Sequence, residues 1–242
     1  MPRGQADFGA YAVKEVSASI SDMGEVAARL GSIDIYDKRG DVVHFDNFEE
    51  PVIAWNTHLT DADCYVRHDS TNPKSGSQSI RLHTSNVNEA KARIQRHFPV
   101  LASKRLGCEI SFSKLSDNCV FHFSVDYFDS VDFHYAEIKF NSTTEKIYVQ
   151  IQGELWQEVA DIRVPFAVDY HFQTVKLVAD FGTDFYQRLL YGLNQYDISD
   201  IPLGVYADNH HLYIQIMFWI VNKAASGGDI WLDDFIFTQA EP

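Results

Sequence analysis

The sequence predicts an all-β protein: one β-sandwich preceded by an N-terminal arm and a single short helix. From residue 78 onward, apolar and polar residues alternate with a period close to two, as in half-buried strands. Turn-forming residues separate these segments, and no long helical pattern interrupts them. Two acidic, aromatic-rich segments, 45–49 and 229–237, lie at opposite ends of this region. Because the first and last strands of a sandwich often lie side by side, we expect these two segments to meet.

Residues 1–40 are predicted to form a separate assembly segment. After an arm over residues 1–20, Asp22 can cap a helix that Gly31 ends. The apolar face of this helix consists of Met23, Val26, Ala27 and Leu30. A helix this short is not stable alone, so we expect it to pack on its own domain or on a neighbouring subunit. A hairpin over residues 33–48 then leads into the sandwich.

Residues 41–242 are predicted to form the β-sandwich domain. Residues 51–76 are interpreted as a loop-rich connection. The later predicted strands cover 78–84, 91–98, 107–115, 119–128, 131–140, 145–152, 154–159, 172–181, 184–191, 210–221 and 229–238. Nothing within residues 32–242 indicates an internal repeat or a linker, so one domain is expected.

The alternation places an unusual number of aromatic rings on the outside of the predicted sandwich. The residues proposed to form a ligand or interface surface are Phe133, Tyr135, Tyr148, Gln150, Tyr213, Gln215 and Trp219. This is more aromatic area than a bare surface needs. Three interpretations remain open: the rings stack on a sugar, they form a protein–protein interface, or another layer of the same chain covers them.

Composition and charge exclude several classes of partner. The formal net charge is −14 and the pI is about 5.0, so the surface repels nucleic-acid phosphates. No apolar run approaches the ~18 residues that a membrane-spanning helix needs. The N-terminus lacks the pattern of a secretory signal, which predicts a virion or cytoplasmic location, or release by lysis.

The three cysteines are predicted to be reduced core residues, because an odd number argues against a disulfide framework. Cys108 and Cys119 fall on apolar faces of consecutive strands, so they could lie near each other.

Four segments carry a resemblance to a known family. They are residues 45–49 followed by Trp55, residues 74–82, residues 175–194 and residues 229–235. In this order they resemble the jelly-roll carbohydrate-binding modules and their concanavalin- or laminin-G-like relatives, over about residues 42–240. The resemblance implies a jelly-roll or concanavalin-like sandwich. It also implies a structural Ca²⁺ held by oxygen atoms of Asp46, Glu49, Ser75, Ser77 and Asp233, since Ca²⁺ prefers such ligands.

No segment matches a catalytic motif. The sequence contains no His-Glu-x-x-His, no Gly-x-Ser-x-Gly and no phosphate-binding glycine loop. The Glu-x-Asp-x-x-Glu strand of laminarinase-type sandwich enzymes is also absent. We therefore predict a protein that is not an enzyme: a jelly-roll subunit of a homo-oligomer or larger particle, such as a capsid, decoration or tail component of a virus or phage virion. The alternative is a carbohydrate-binding module that holds a glycan on its aromatic face.

Overall fold

The computed structural model describes residues 39–113, 115–162, 171–208 and 211–242. The predicted arm and helix, with the apolar face that includes Met23 and Leu30, lie outside these residues. The assembly role and the boundary at residue 40 therefore stay predictions.

Strands make up nearly all of the regular structure in the described part of the chain. They are β1 Asp41–Asp46, β2 Asn56–Leu59, β3 Tyr65–Asp69, β4 Ser79–Thr84, β5 Lys91–Phe98, β6 Arg105–Ser113, β7 Cys119–Phe128, β8 Asp132–Asn141, β9 Lys146–Ile151, β10 Leu155–Asp161, β11 Gln173–Asp180, β12 Phe185–Tyr191, β13 Asn194–Asp197, β14 Gly204–Ala207, β15 Tyr213–Asn222 and β16 Gly228–Gln239. One 3₁₀ turn, Gln152–Glu154, separates β9 from β10.

The strands form two antiparallel sheets. Sheet A has the order β13-β12-β11-β6-β16-β4-β3, with β1 also paired to β16. Sheet B has the order β10-β9-β8-β7-β15-β5-β2, with β14 also paired to β8. Side chains from the two facing surfaces fill a single core between them. The predicted all-β sandwich is confirmed.

Aromatic side chains dominate the middle of this core. Phe112 of sheet A packs against Phe121 and Phe140 of sheet B, with both pairs of ring centroids 5.0 Å apart. Each ring is fully buried, and burying one such side chain contributes about 1.5–3 kcal/mol. The alternation that marked Phe121 and Phe140 as inward-facing therefore also fixes which surface of sheet B faces outward.

The first and last strands pair, as predicted. Phe45 lies opposite Ile236 in the β1–β16 ladder. A bulge in β16 places Asp234 at a φ of 48°, and there the small-residue loop after Asn72 contacts the strand. The acidic segment of β1 is thus held close to this loop.

Four short strands, β2, β3, β13 and β14, were not predicted. Residues 51–76 were interpreted as a loop, yet they contain β2 and β3. All four residues of β2 are exposed, so no alternation of apolar residues marks it. These segments are strands because a longer neighbouring strand supplies their hydrogen-bonding partners. The alternation of residues within a segment does not show such pairing.

The three cysteines are free and buried. Burial raises the pKa of the Cys108 thiol well above its usual value and that of Cys119 to about 11. Both thiols therefore stay protonated and behave as small apolar core groups. Within the described ranges, no helix is long and apolar enough to cross a membrane.

A buried ionic network lies on sheet A beside the end of β16. The Glu241 carboxylate accepts bonds from Lys176, 2.7 Å away, and from Arg188. Thr238 also donates to it. Lys176 and Glu241 are 1% and 0% exposed, and Gly107 makes room for the acid, since a Cβ there would lie 2.5 Å from Oε1 of Glu241.

Candidate functional site on the outer face of sheet B

The outer face of sheet B is the surface that points away from sheet A, and three rows of side chains cross it. Residues in register on neighbouring antiparallel strands point to the same side of a sheet. The first row, from β5 to β9, contains Arg93, Trp219, His122, Lys139 and Tyr148. The second contains Gln95, Met217, Ser124 and Glu137. The third contains His97, Gln215, Asp126 and Tyr135.

All seven residues predicted for the ligand or interface surface lie on this face. They come from β8, β9 and β15. Tyr213 stacks on Phe128 with centroids 4.2 Å apart, and Phe128 stacks on Phe133 at 4.6 Å. At the opposite end of the face, Trp219 lies parallel to His122, 4.8 Å away with a 10° angle between the rings. The aromatic rings therefore lie at both ends of the face, with polar groups between them.

Tyr135 is largely buried by a neighbouring strand of its own sheet. It is 4% exposed, because its ring lies against β14, which pairs with β8 in sheet B. A Cβ on Gly204 of β14 would lie 1.8 Å from the Tyr135 ring, so only glycine fits. The Tyr135 hydroxyl donates to the Ile151 carbonyl at 3.1 Å, and its ring stacks on Tyr206. Tyr135 therefore forms a wall of the site and exposes little ring surface.

A cleft of about 210 Å³ opens between these aromatic ends. Its lining consists of Ser124, Asp126, Phe133, Tyr135, Glu137, Gln150, Glu154, Tyr206 and Met217. Asp126 is buried and Glu137 is nearly so. The floor of the cleft thus carries two carboxyl groups, while amides and rings form its sides.

Burial changes the protonation of both carboxyl groups. Burial, and to a smaller extent the nearby Glu137, raise the pKa of Asp126 to about 8. Burial likewise raises the pKa of Glu137 to about 8. The two residues are diagonal neighbours on β7 and β8, which corresponds to about 7–8 Å between their Cα atoms. At neutral pH both groups are mainly protonated, so each can donate a proton or a hydrogen bond.

Glu137 is held in place by a histidine between two tryptophans. Nδ1 of His122 lies 2.7 Å from Oε1 of Glu137. Burial lowers the pKa of His122 well below its usual value, so the imidazole is neutral. Its Nδ1 therefore accepts a hydrogen bond from the carboxylic acid of Glu137. Trp219 stacks on one side of His122, and Trp156 contacts it edge-on with centroids 5.7 Å apart. This packing fixes the orientation of the acid.

Basic and amide groups at the edges of the cleft complete the site. The Lys139 ammonium lies 3.8 Å from the centre of the Trp156 ring and 4.9 Å from that of Tyr148. Nε of Arg93 and Oε1 of Gln95 are buried, and neither has a hydrogen-bond partner among the described residues. Buried polar atoms normally have partners, so these two atoms are exceptions among the described residues.

The five residues predicted to bind calcium form a different arrangement. The Asp46 carboxylate accepts bonds from the Phe48 amide and the Trp55 indole, both 2.9 Å long. Glu49 accepts bonds from the amide and hydroxyl of Ser77. Asp233 accepts bonds from the Lys74 and Ser75 amides, at 2.8 and 3.2 Å.

The chain thus provides its own donors to the three predicted carboxylate ligands. Glu49 and Asp233 hold the same small-residue loop through its backbone. The Lys74 ammonium lies 2.6 Å from Asp234, beside Asp233, where it supplies the positive charge that a cation would bring. A calcium ion at these residues would have to displace such donors.

A different group of residues has metal-binding geometry. Ligand atoms of Asp129, Asp132 and His134, at the turn from β7 to β8, lie within 4.8 Å of one another. These three residues were not predicted from the sequence. Their spacing, Asp-x-x-Asp-x-His, is the signal that could have indicated them.

The comparisons with known proteins identify the fold. No protein-family model and no curated protein matches the sequence, whereas 162 chains of solved structures match. An endo-β-1,4-glucuronan lyase from Trichoderma reesei is 8% identical, with a TM-score of 0.56 over 82% of this chain and 96% of its own. A Bacteroides ovatus mixed-linkage glucan GH16 protein, solved with a G4G4G3G product, is 10% identical, with a TM-score of 0.51 over 81% and 100%. A Bacillus licheniformis β-glucanase is also 10% identical, with a TM-score of 0.50 over 81% and 97%.

These structures confirm the predicted jelly-roll or concanavalin-like fold and contradict two other predictions. The prediction of a virion subunit is wrong, because these similar structures are carbohydrate-active proteins. They give no support to the predicted homo-oligomer. The prediction of a protein that is not an enzyme is contradicted by the same lyase and glucanases. Identities of 8–10% establish the fold alone, so the activity has to be argued from the residues of this chain.

Sequence reasoning did not select Asp126, His122 or Trp156 as site residues. His122 and Asp126 were assigned to the outside of β7 by alternation, but no motif marked them. Their significance depends on the pairing of β7 with β8, which places Glu137 beside both. Trp156 is near them because β10 folds back along β9.

Proposed function

We propose that this protein binds a carbohydrate in the cleft on the outer face of sheet B. The main support is the arrangement of that face, where partly exposed rings flank a polar floor. Trp219 and Tyr213 offer apolar surface to sugar C–H groups. Gln150 lines the cleft and offers its amide to sugar hydroxyl groups.

The similar structures support this proposal at the level of fold class. Their printed names describe a glucuronan lyase, a β-glucanase and a protein that holds a glucan product. Carbohydrate sites recur on this fold, and the cleft described above supplies suitable chemistry on the chain itself.

A second candidate function is cleavage of the bound polysaccharide. The observation that favours it is the pair of carboxyl groups, Asp126 and Glu137, whose pKa values burial raises to about 8. A carboxylic acid that keeps its proton at neutral pH is suited to general-acid catalysis. The two residues are diagonal neighbours on the same face of sheet B, so both carboxyl groups can reach one bound glycosidic bond, as in glycoside hydrolysis by a carboxyl pair.

Replacing Trp219 with alanine is expected to weaken glycan binding about 30-fold. This corresponds to the ~2 kcal/mol or more that a central aromatic contact contributes. A polysaccharide panel identifies the ligand, and calorimetry on an oligosaccharide measures its affinity. Leu193→Ala is the matched control, because Leu193 is 84% exposed and lies on sheet A. Equal affinity in both variants, with wild-type melting temperatures, would contradict a site at Trp219.

Calcium at Asp46, Glu49, Ser75, Ser77 and Asp233 stays a prediction. If it is correct, Ca²⁺ at about 100 times its Kd should add ~2.7 kcal/mol to the free energy of unfolding. Thermal melts in excess Ca²⁺ and in chelator measure this difference. Identical melts would contradict an exchangeable calcium, and the Lys74 ammonium would then be the only cation in that position.

A further inference from the structure

The turn from β7 to β8 gathers an imidazole and two carboxylates. Nε2 of His134 lies 3.5 Å from Oδ2 of Asp129, and a ligand oxygen of Asp132 lies within 4.8 Å of both partners. Two ligands at about 2.1 Å from a tetrahedral ion are about 3.4 Å apart. The separation of His134 and Asp129 therefore matches that of two ligands of one metal ion.

Nε2 of His134 has no hydrogen-bond partner in the described part of the chain, although it is buried. The whole residue is 6% exposed. Its other ring nitrogen, Nδ1, lies 2.7 Å from Oδ1 of Asp184. A metal-bound histidine commonly donates its second N–H to a carboxylate, which fixes the tautomer that presents a lone pair to the metal. Asp184 provides that carboxylate here.

The two acids of the turn also leave oxygen atoms available. Oδ1 of Asp129 accepts bonds from the Asp132 and Val131 amides, at 2.8 and 3.0 Å. These bonds lower the pKa of Asp129 and leave Oδ2 directed at His134. The Asp132 carboxylate forms no hydrogen bond with the other described residues, and the residue is only partly exposed.

We propose that Asp129, Asp132 and His134 bind a divalent transition metal, with Asp184 as the orienting partner of the histidine. One imidazole and two carboxylates suit Zn²⁺, which accepts mixed nitrogen and oxygen ligands and takes water as a fourth ligand. Ca²⁺ needs six to eight oxygen ligands, more than this turn provides. The site is separate from the predicted calcium residues and from the carboxyl pair of the cleft.

The bound metal joins the two sheets at one end of the sandwich. Asp129 and Asp132 border the connection between two strands of sheet B, whereas Asp184 lies in the turn between β11 and β12 of sheet A. Because Asp184 contacts His134, the metal fixes the turn between β11 and β12 relative to the turn between β7 and β8. The metal thus stabilises one end of the fold.

The competing explanation is a protonated imidazole between Asp129 and Asp184. Titrating chelator-treated, tag-free protein with Zn²⁺ in a calorimeter distinguishes the two. The proposal predicts one bound equivalent and a higher melting temperature. Asp132→Asn should weaken the binding at least about tenfold, and Asp184→Asn about 10- to 100-fold. Asp200→Asn, in the exposed connection between β13 and β14, is the control and should bind as the wild type does.

Asp132→Asn is decisive, because the imidazolium explanation does not involve that residue. Unchanged Zn²⁺ affinity in Asp132→Asn, or no binding by the wild type, would overturn the proposal. Cobalt gives a second readout, since tetrahedral Co²⁺ absorbs strongly in the visible range. Absorption in the wild type that Asp132→Asn lacks would support the site, and equal spectra would contradict it.

Discussion

Replacing Glu137 with glutamine is expected to make the protein more stable than the wild type at alkaline pH. Burial raises the pKa of Glu137 from its ordinary value of 4.5 to about 8 in the fold. Between these values the folded state keeps a proton that the unfolded chain has released. The free energy of unfolding therefore falls as pH rises through this window, at about 1.4 kcal/mol per pH unit for one group.

Glutamine resembles the protonated acid and cannot ionise, so it removes this loss. The glutamine amide can also donate a hydrogen bond to Nδ1 of His122, as the protonated Glu137 does. Between pH 6 and pH 8 we expect the difference between the variant and the wild type to change by roughly 2–3 kcal/mol in favour of the variant. Below about pH 4.5 the two should be alike.

Urea denaturation at a series of pH values measures this difference. Glu50→Gln, at an exposed position, is the control and should follow the wild type throughout. Parallel stability curves for the wild type and Glu137→Gln would show that the acid ionises normally in the fold. In that case the cleft lacks the proton donor on which cleavage depends.

The same variant tests the second candidate function. If Glu137 transfers a proton during cleavage, Glu137→Gln should lower the rate of glycan cleavage by about 10²–10⁴-fold while keeping glycan affinity. Asp126→Asn should act in the same way, because its pKa is raised to the same degree. Cleavage at the wild-type rate in both variants would exclude this pair from the chemistry.

Replacing Glu241 with glutamine is expected to produce the largest loss of stability, about 3–5 kcal/mol. Glu241 balances the buried charges of Lys176 and Arg188. Removing one partner of a buried ion pair leaves the other charge without compensation in a medium of low dielectric constant. Lys176 and Arg188 both lose the carboxylate that Glu241 provides, so the loss should exceed that of an ordinary surface substitution.

Chemical denaturation at pH 7 measures this loss. The control is Glu89→Gln, which removes an exposed ion pair with Lys223 and should change the free energy of unfolding by less than about 1 kcal/mol. Similar small effects in both variants would mean that water reaches the Glu241 network. The outer face of sheet A would then be less well packed around Gly107 than the structure indicates.

The fold could be predicted from the sequence where apolar and polar residues alternate along a strand. Strands such as β15 bury every second residue over most of their length, so their inward faces follow from the pattern. The pairing of β1 with β16 could be anticipated because both are acidic and aromatic. The short strands could not, since β2 is exposed throughout and β14 is short and forms by pairing with β8.

The candidate site depends on register, which the sequence alone does not fix. Alternation placed Glu137 and Asp126 outside, but their proximity arises from the pairing of β7 with β8. The cover over Tyr135 depends on Gly204, which is about 70 residues away along the chain. The predicted calcium ligands show the same limit, because only the folded loop places the Lys74 ammonium beside Asp234.

The most direct test of the carbohydrate site is hydrogen–deuterium exchange with and without the oligosaccharide that the panel identifies. A ligand in the cleft should slow amide exchange in β7, β8 and β15 and in the turn Gln152–Glu154, while β3, β4 and β12 of sheet A exchange as before. Protection restricted to sheet A would contradict the proposed site.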